Sequence, residues 1–375
     1  MISLADTLDC LAAHLPAPLA GTGAYGATRA VAAQLPAALT RWTYLEWRLG
    51  GRPGPPDLIV EIDGAGREIL TGAAGPLRLP EALAAEPVWR QVIGLCHRWA
   101  EAGSPLREWI ECLWLEFDVA ARPPHAPAVP GVFVGFSEAA SASGGAAARC
   151  ARAEAALRAL LGAALDDARL AVLRRCFHAL PVGARVLYAG SLLPRGDGTL
   201  RLCVTDVAAR DLADYLRAAG WPGPYGRLVR LLDEMDGVRD GAFARDPALV
   251  HLDLGAGGVQ PRLGLEYVFG RREQARGTLP DAAFLRHLAG AGLCTEDEAA
   301  ALAAFPGCDT RQLPHELWRS LVLRRVNHVK LVLDGDGEPE AKGYLVLHHR
   351  FWNRPVAPTG RAASPARREP LLVPA

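Results

Sequence analysis

Arg201, Arg262, Lys330 and Lys342 each fall on the polar side of a segment whose alternate residues are apolar. Earlier in the chain the same side carries carboxylates, Glu61 with Asp63 and Glu116 with Asp118, and later Asp253, Glu266 and Asp334. In a β-strand alternate side chains share a face, so these acids and bases would look onto one surface. Residues of these types do electrostatic work. Bases gather an anionic group, a carboxylate orients or accepts a proton, and aromatic faces meet a ring or a cation. Trp114, Phe133 and Tyr344 supply such faces on the same polar sides, and His251 stands two residues before Asp253.

The segments that must position these side chains repeat. Leu113-Trp-Leu-Glu-Phe-Asp118 is matched by Leu58-Ile-Val-Glu-Ile-Asp63, apolar at odd places, with glutamate fourth and aspartate sixth. Val250-His-Leu-Asp-Leu-Gly255 and Val329-Lys-Leu-Val-Leu-Asp334 keep the dry face and change the polar one. Each reads as a strand with one face against a core. Residues 185–193 alternate poorly, and their faces stay unassigned.

In chain order, the pattern predicts a helix over 28–49, stopped by Gly50-Gly-Arg-Pro-Gly-Pro-Pro56. A first hairpin follows, with strands 58–63 and 67–71 around Gly64-Ala-Gly66. Helix 87–100 precedes a second hairpin, 113–119 with 131–136, joined by a proline-rich loop. Residues 137–145 read as small and flexible, and 146–180 as two helices. The third hairpin pairs 185–193 with 199–207. Helices over 211–219 and 225–235 lead to a fourth, 249–254 with 262–269. Helices over 284–291, 295–304 and 313–326 then precede a fifth, 328–333 with 341–348. Thr295 and Glu298 form a capping-box signature. Residues 1–351 form one domain on this reading, and 352–375, rich in Pro, Arg and Ala, a disordered tail.

Half of the 375 residues are apolar, enough for a sizeable core. Lys plus Arg and Asp plus Glu are both 41, so no net field favours nucleic acid or an anionic membrane. Eight scattered cysteines lack paired metal or disulfide spacing, and no apolar run reaches spanning length. A reduced, cytoplasmic protein is expected, with no membrane and no nucleic acid as partners.

Helix-strand-strand-helix is thus written five times. Ten antiparallel strands with helices after each pair would close into a barrel, leaving no free edges. Dry faces would pack on an outer ring of helices and polar faces would line a lumen. This pattern resembles the ABBA prenyltransferases across roughly residues 28–350, on architecture and not on a signature motif. The resemblance implies an α/β fold built as a ten-stranded antiparallel β-barrel, and transfer of a prenyl group from an isoprenoid diphosphate to an aromatic or peptide natural-product acceptor in the lumen.

It further implies a division of labour. Arg201, Arg262, Lys330 and Lys342 would bind the diphosphate, with Tyr344 shielding the cation. Glu116, or Glu61 in its place, would orient or deprotonate an acceptor lying against Trp114, Phe133 and His251. No metal is held by the protein on this reading, and magnesium would enter only with the diphosphate. The tyrosine shield shrinks to about one candidate.

A rival of another class is a catalytically inactive barrel of the same shape that binds a peptide or a partner protein. In it the bases and carboxylates neutralise one another, since buried charges are tolerated when paired. The arrangement of the four bases decides between the two: converging on a tunnel, or each locked to a carboxylate. A third reading, a fivefold pentein-like propeller, would need a reactive cysteine, for which Cys308 is the loose candidate. Asp334-Gly-Asp-Gly-Glu338 lacks the later ligands of a calcium loop and reads as a turn. Cys96-His97 and Cys176-Phe-His178 lack zinc partners, and neither a phosphate-loop nor a serine-hydrolase elbow motif occurs.

Overall fold

The computed structural model describes residues 2–9, 12–15, 24–52, 54–119, 126–238, 246–270, 274, 277, 279, 282–313, 317 and 319–351. The tail expected from residue 352 onward lies outside them. The strands are β1 Trp42–Arg48, β2 Asp57–Ile62, β3 Ile110–Phe117, β4 Gly131–Phe136, β5 Arg185–Ser191, β6 Leu200–Thr205, β7 Leu249–Gly255, β8 Gly258–Val268, β9 Gly307–Gln312, β10 Arg319–Asp334 and β11 Glu340–Phe351. They form one antiparallel sheet ordered β11-β1-β2-β3-β4-β5-β6-β7-β8-β10-β9, in which β11 also pairs with β10. Ten strands therefore close into a barrel. Only β9 stands outside, pairing with the first part of β10 while β8 takes the second part.

The five hairpins β1–β2, β3–β4, β5–β6, β7–β8 and β10–β11 alternate with helices, as the repeat implied. Leu113, Leu115 and Phe117 of β3, and Leu58, Val60 and Ile62 of β2, are fully buried in the layer between strands and helices. Helix Pro87–Ala100 meets them with Trp89, Val92, Leu95 and Trp99, and Trp89 donates Nε1–H to the Ala128 carbonyl at 2.6 Å. Each buried apolar side chain in this layer contributes about 1.5–3 kcal/mol of transfer free energy. A second apolar cluster, which includes Tyr44, Trp114, Phe133, Tyr188, Leu249 and Tyr344, lies on the other side of the sheet, inside the barrel.

Two expected helices are corrected. Residues 28–49 hold the end of helix Ala24–Ala32, a short 3-10 turn and then β1. Residues 313–326 give way to β10, which begins at Arg319 and runs sixteen residues. In both places tertiary pairing overrides local propensity: β1 fills the gap between β11 and β2, and β10 is paired along both edges. The first hairpin consequently moves. Leu58-Ile-Val-Glu-Ile-Asp63 supplies its second strand, and 67–71 is not a strand. Helix Gly64–Leu70 follows β2, capped by Asp63, whose Oδ1 accepts from the Ala65 and Gly66 amides at 2.8 and 3.0 Å. Asp63 therefore faces a helix end and not the lumen.

The two matching stretches are thus neighbours in the wall, with Ile59 opposite Glu116 and Glu61 opposite Trp114. The segment expected to be flexible after β4 holds helix Glu138–Ala142, capped by Ser137. The capping box at Thr295 is present, and Glu298 also accepts from the Gly50 and Gly51 amides, tying helix Glu296–Ala304 to the β1–β2 connection. The continuous ladder excludes a propeller of separate units. Exposed Cys308 sits on β9, outside the closed barrel.

Candidate active site

A cavity of about 90 Å³ opens inside the barrel. Tyr44, Trp114, Phe133, Tyr188 and Tyr344 give it aromatic walls, with Ile59 and Leu249 between them. Trp114 is met edge-on from both sides, by Tyr44 at 5.1 Å and Tyr188 at 6.2 Å between ring centroids. Glu116, Arg201, Cys203, His251 and Lys330 bring polar groups to the same space, as do Glu266 and His328. The strand pleat explains this gathering. Arg201 and Cys203 lie two apart on β6, directly across from Asp253 and His251 on β7. Glu266 of β8 lies across from Lys330 of β10.

The four bases chosen from the sequence do not converge on one point. Arg201 forms a bidentate pair with Asp253, Nε to Oδ1 at 2.6 Å and Nη2 to Oδ2 at 3.0 Å. Lys330 lies 3.8 Å from Glu266 and donates to His251 Nδ1 at 3.0 Å. Lys342 is hydrogen-bonded to Glu46 and does not line the cavity. Arg262 pairs with Asp334 at 2.7 Å near the β10–β11 turn, partly exposed and away from the cavity. Each base therefore has a carboxylate, and two of the four, Arg201 and Lys330, face the open space.

Glu116, Trp114, Phe133, His251 and Tyr344 all line the cavity, as their strand phases implied. Glu61 is buried on β2 and is not part of the lining. Asp118 accepts from Arg195 at 2.9 and 3.2 Å instead of facing inward alone. Glu116 makes no hydrogen bond or ion pair among the described residues. Burial and then the nearby Glu46 charge raise its pKa above the ordinary glutamate value, against the pull of Arg201. A carboxyl so placed holds a proton more readily than an ordinary glutamate does.

Several lining or supporting groups were missed from the sequence. Glu46, on β1, accepts hydrogen bonds from both Lys342 and the Tyr344 hydroxyl. Burial opposes its charge, but Lys342 and Lys330 more than offset this and hold its pKa below the usual range. Its cross-strand partner Asp57 is pushed up to about 7 by burial and by Glu46, although it also accepts from Arg48 and the Val119 amide. Tyr44 and Tyr188 raise the cavity's tyrosines from the expected one to three. His328 stacks on Tyr344 with centroids 3.9 Å apart. At the other end of the same faces, Trp42 stacks flat on His348 at 3.8 Å and 6°.

Among the described residues no group of three or more His, Cys, Asp or Glu is arranged to hold a metal ion. Glu266 is instead surrounded by His251, His328 and Lys330. No described helix is long and apolar enough to cross a membrane.

No family model matches the sequence, and no curated protein does either. Solved structures of similar shape include the apo form of the prenyltransferase PriB, 19% identical, covering 92% of this chain and 94% of that one with a TM-score of 0.46. A 6-dimethylallyltryptophan synthase from Micromonospora olivasterospora, in complex with DMASPP and Trp, is 16% identical over 92% and 97%, with a TM-score of 0.49. A 5-dimethylallyl tryptophan synthase from Streptomyces coelicolor, also in complex with DMASPP and Trp, is 18% identical over 97% of both chains, with a TM-score of 0.41. The fold of this chain stands on its own strand pairing, a closed ten-stranded antiparallel barrel ringed by helices.

Proposed function

We propose that this barrel transfers a prenyl group from an isoprenoid diphosphate to an aromatic acceptor, with the chemistry inside the lumen. One observation carries the reading: three tyrosines, Trp114 and Phe133 surround a single cavity into which Arg201, Lys330 and Glu116 also face. Heterolysis of an allylic C–O bond leaves a carbocation and a diphosphate. Aromatic faces stabilise the first, and fixed cations the second. Lys330 and Arg201 would meet the diphosphate, and Tyr44, Tyr188 and Tyr344 would shield the allyl cation from water. An acceptor ring would lie against Trp114 and Phe133, beside His251. Glu116 would take the proton that the ring loses on substitution.

The ion pairs favour a second reading. Because every one of the four bases already has a carboxylate, the same aromatic lumen would also suit a barrel that binds a peptide or partner without turnover. Thermal melting with dimethylallyl diphosphate separates them. Binding to the native state alone raises the melting temperature with ligand concentration. The transferase reading expects that rise in wild type and its loss in Arg201→Met with Lys330→Met. An unchanged melting temperature with isoprenoid diphosphates of every chain length would leave the binding barrel standing.

A further inference from the structure

One lining group has no role in prenyl transfer. Cys203 lies on β6 directly across from His251 on β7, and its Sγ is 3.3 Å from His251 Nδ1. The opposite ring nitrogen, Nε2, is 2.6 Å from Glu266 Oε1. Thiol, imidazole and carboxylate thus stand side by side on three consecutive strands, and all three line the cavity. Lys330 completes the set, since its ammonium can only donate and lies 3.0 Å from Nδ1. With an ammonium donating to it, Nδ1 carries the lone pair and Nε2 the proton, which lies close to Glu266 without a hydrogen bond to it among the described residues.

We infer that Cys203, His251 and Glu266 form a nucleophilic relay that accepts an acyl group from an apolar or aromatic ester or thioester entering the lumen. The geometry is that of a nucleophile, a base within reach of it, and a carboxylate 2.6 Å from the base, close enough to stabilise the imidazolium by its charge. In the step itself, the Cys203 sulfur bonds to the carbonyl carbon while its proton passes to His251 Nδ1. The carbonyl π pair moves onto oxygen, where the Lys330 ammonium, released from Nδ1, neutralises it. Collapse restores the C=O, breaks the bond to the leaving oxygen or sulfur, and returns the proton from Nδ1 to that group. An acyl-Cys203 thioester remains, and water hydrolyses it by the same path, giving the acid and restoring the thiol.

The resting pair is uncharged, and the proton transfer to the imidazole is uphill. Burial pushes the Cys203 thiol up to about 12, and burial with the Lys330 and Arg201 charges holds His251 well below its ordinary value. The pair therefore waits as neutral thiol and neutral imidazole, and the proton moves only during attack. The inference goes beyond prenyl transfer: Lys330 and His251 would serve both chemistries, and Cys203 only the acyl step.

The test uses the full chain and 4-nitrophenyl acetate. Nitrophenol release and peptide mass mapping are followed together, with exposed Cys308 as an internal reference. The relay expects a stoichiometric burst with acetyl on Cys203. Cys203→Ser should abolish the burst at that site, and His251→Gln should slow it about a hundredfold, with acetylation of Cys308 unchanged. A second reading needs no variant: in wild type the ester should favour Cys203 over Cys308, whereas iodoacetamide, which gains nothing from the relay, should favour the exposed Cys308. Acetyl found only on Cys308 or surface amines, or a Cys203 rate unmoved by His251→Gln, would overturn the relay. Loss of the burst in Cys203→Ser with diphosphate release intact would separate this chemistry from prenyl transfer.

Discussion

Arg201 of β6 and Asp253 of β7 stand directly opposite each other and exchange two parallel hydrogen bonds, both side chains about nine-tenths removed from solvent. Two charges can be kept in a barrel interior only if each compensates the other. Removing one alone leaves the other buried and unpaired. Asp253→Asn should therefore cost about 3–5 kcal/mol in denaturant unfolding, whereas Arg201→Met with Asp253→Leu should cost much less. Burial raises the Asp253 pKa, but Arg201 more than offsets this and holds it below its ordinary value. The pair's contribution is then complete above the unfolded carboxylate range and is lost as pH falls through the lower folded value. An acid titration of wild type against the double variant checks this sign.

Glu116 behaves in the opposite sense. Its folded pKa is raised, so its contribution to stability is fullest below the unfolded value and declines as pH rises through the folded one. Glu116→Gln should therefore be more stable than wild type at pH 8 and equal to it at pH 4, read by chemical denaturation. The same variant should slow prenyl transfer by about a hundredfold or more and remove the acidic limb of the rate profile. A variant with full activity would take Glu116 out of the chemistry.

Gly190 of β5 lies opposite Phe133 of β4. A Cβ added there would stand 2.1 Å from the Val132 carbonyl oxygen and 2.6 Å from the Phe133 Cα, atoms that the ladder holds in place. Gly190→Ala should therefore destabilise the barrel by about 1–3 kcal/mol. Because Phe133 lines the cavity, it should also weaken binding of any aromatic acceptor. A melting temperature within error of wild type would contradict the packing described.

Most of the wall was legible because period-two alternation survives wherever one strand face meets helices and the other a polar lumen. Leu113 to Phe117 and Val250 to Leu254 are such cases, and their inward residues fell where expected. The first strand was hidden differently. Trp42, Tyr44, Glu46 and Arg48 alternate with Thr43, Leu45 and Trp47, but the Ala- and Leu-rich residues before them extend a helical pattern across the boundary. Glu46 and Tyr44 were lost with it. In β10, both edges are paired and nearly every side chain is buried, so residues 319–326 show no alternation to read. Tyr188 was hidden by a register shift between Val186 and Tyr188, which breaks the phase of β5. The pairing of Arg262 with Asp334 depends on the register between β8 and β10, strands of two successive hairpins in which these residues stand directly opposite.

The claim that chemistry occurs in this lumen is tested most directly by diphosphate release. The full chain is incubated with dimethylallyl diphosphate and an indole acceptor, and inorganic diphosphate is measured over time beside the Lys330→Met and Glu116→Gln variants. Prenyl transfer predicts multiple turnovers in wild type, with prenylated acceptor formed in step and both variants strongly slowed. No diphosphate above the enzyme-free control, with isoprenoid chains of any length, would contradict it.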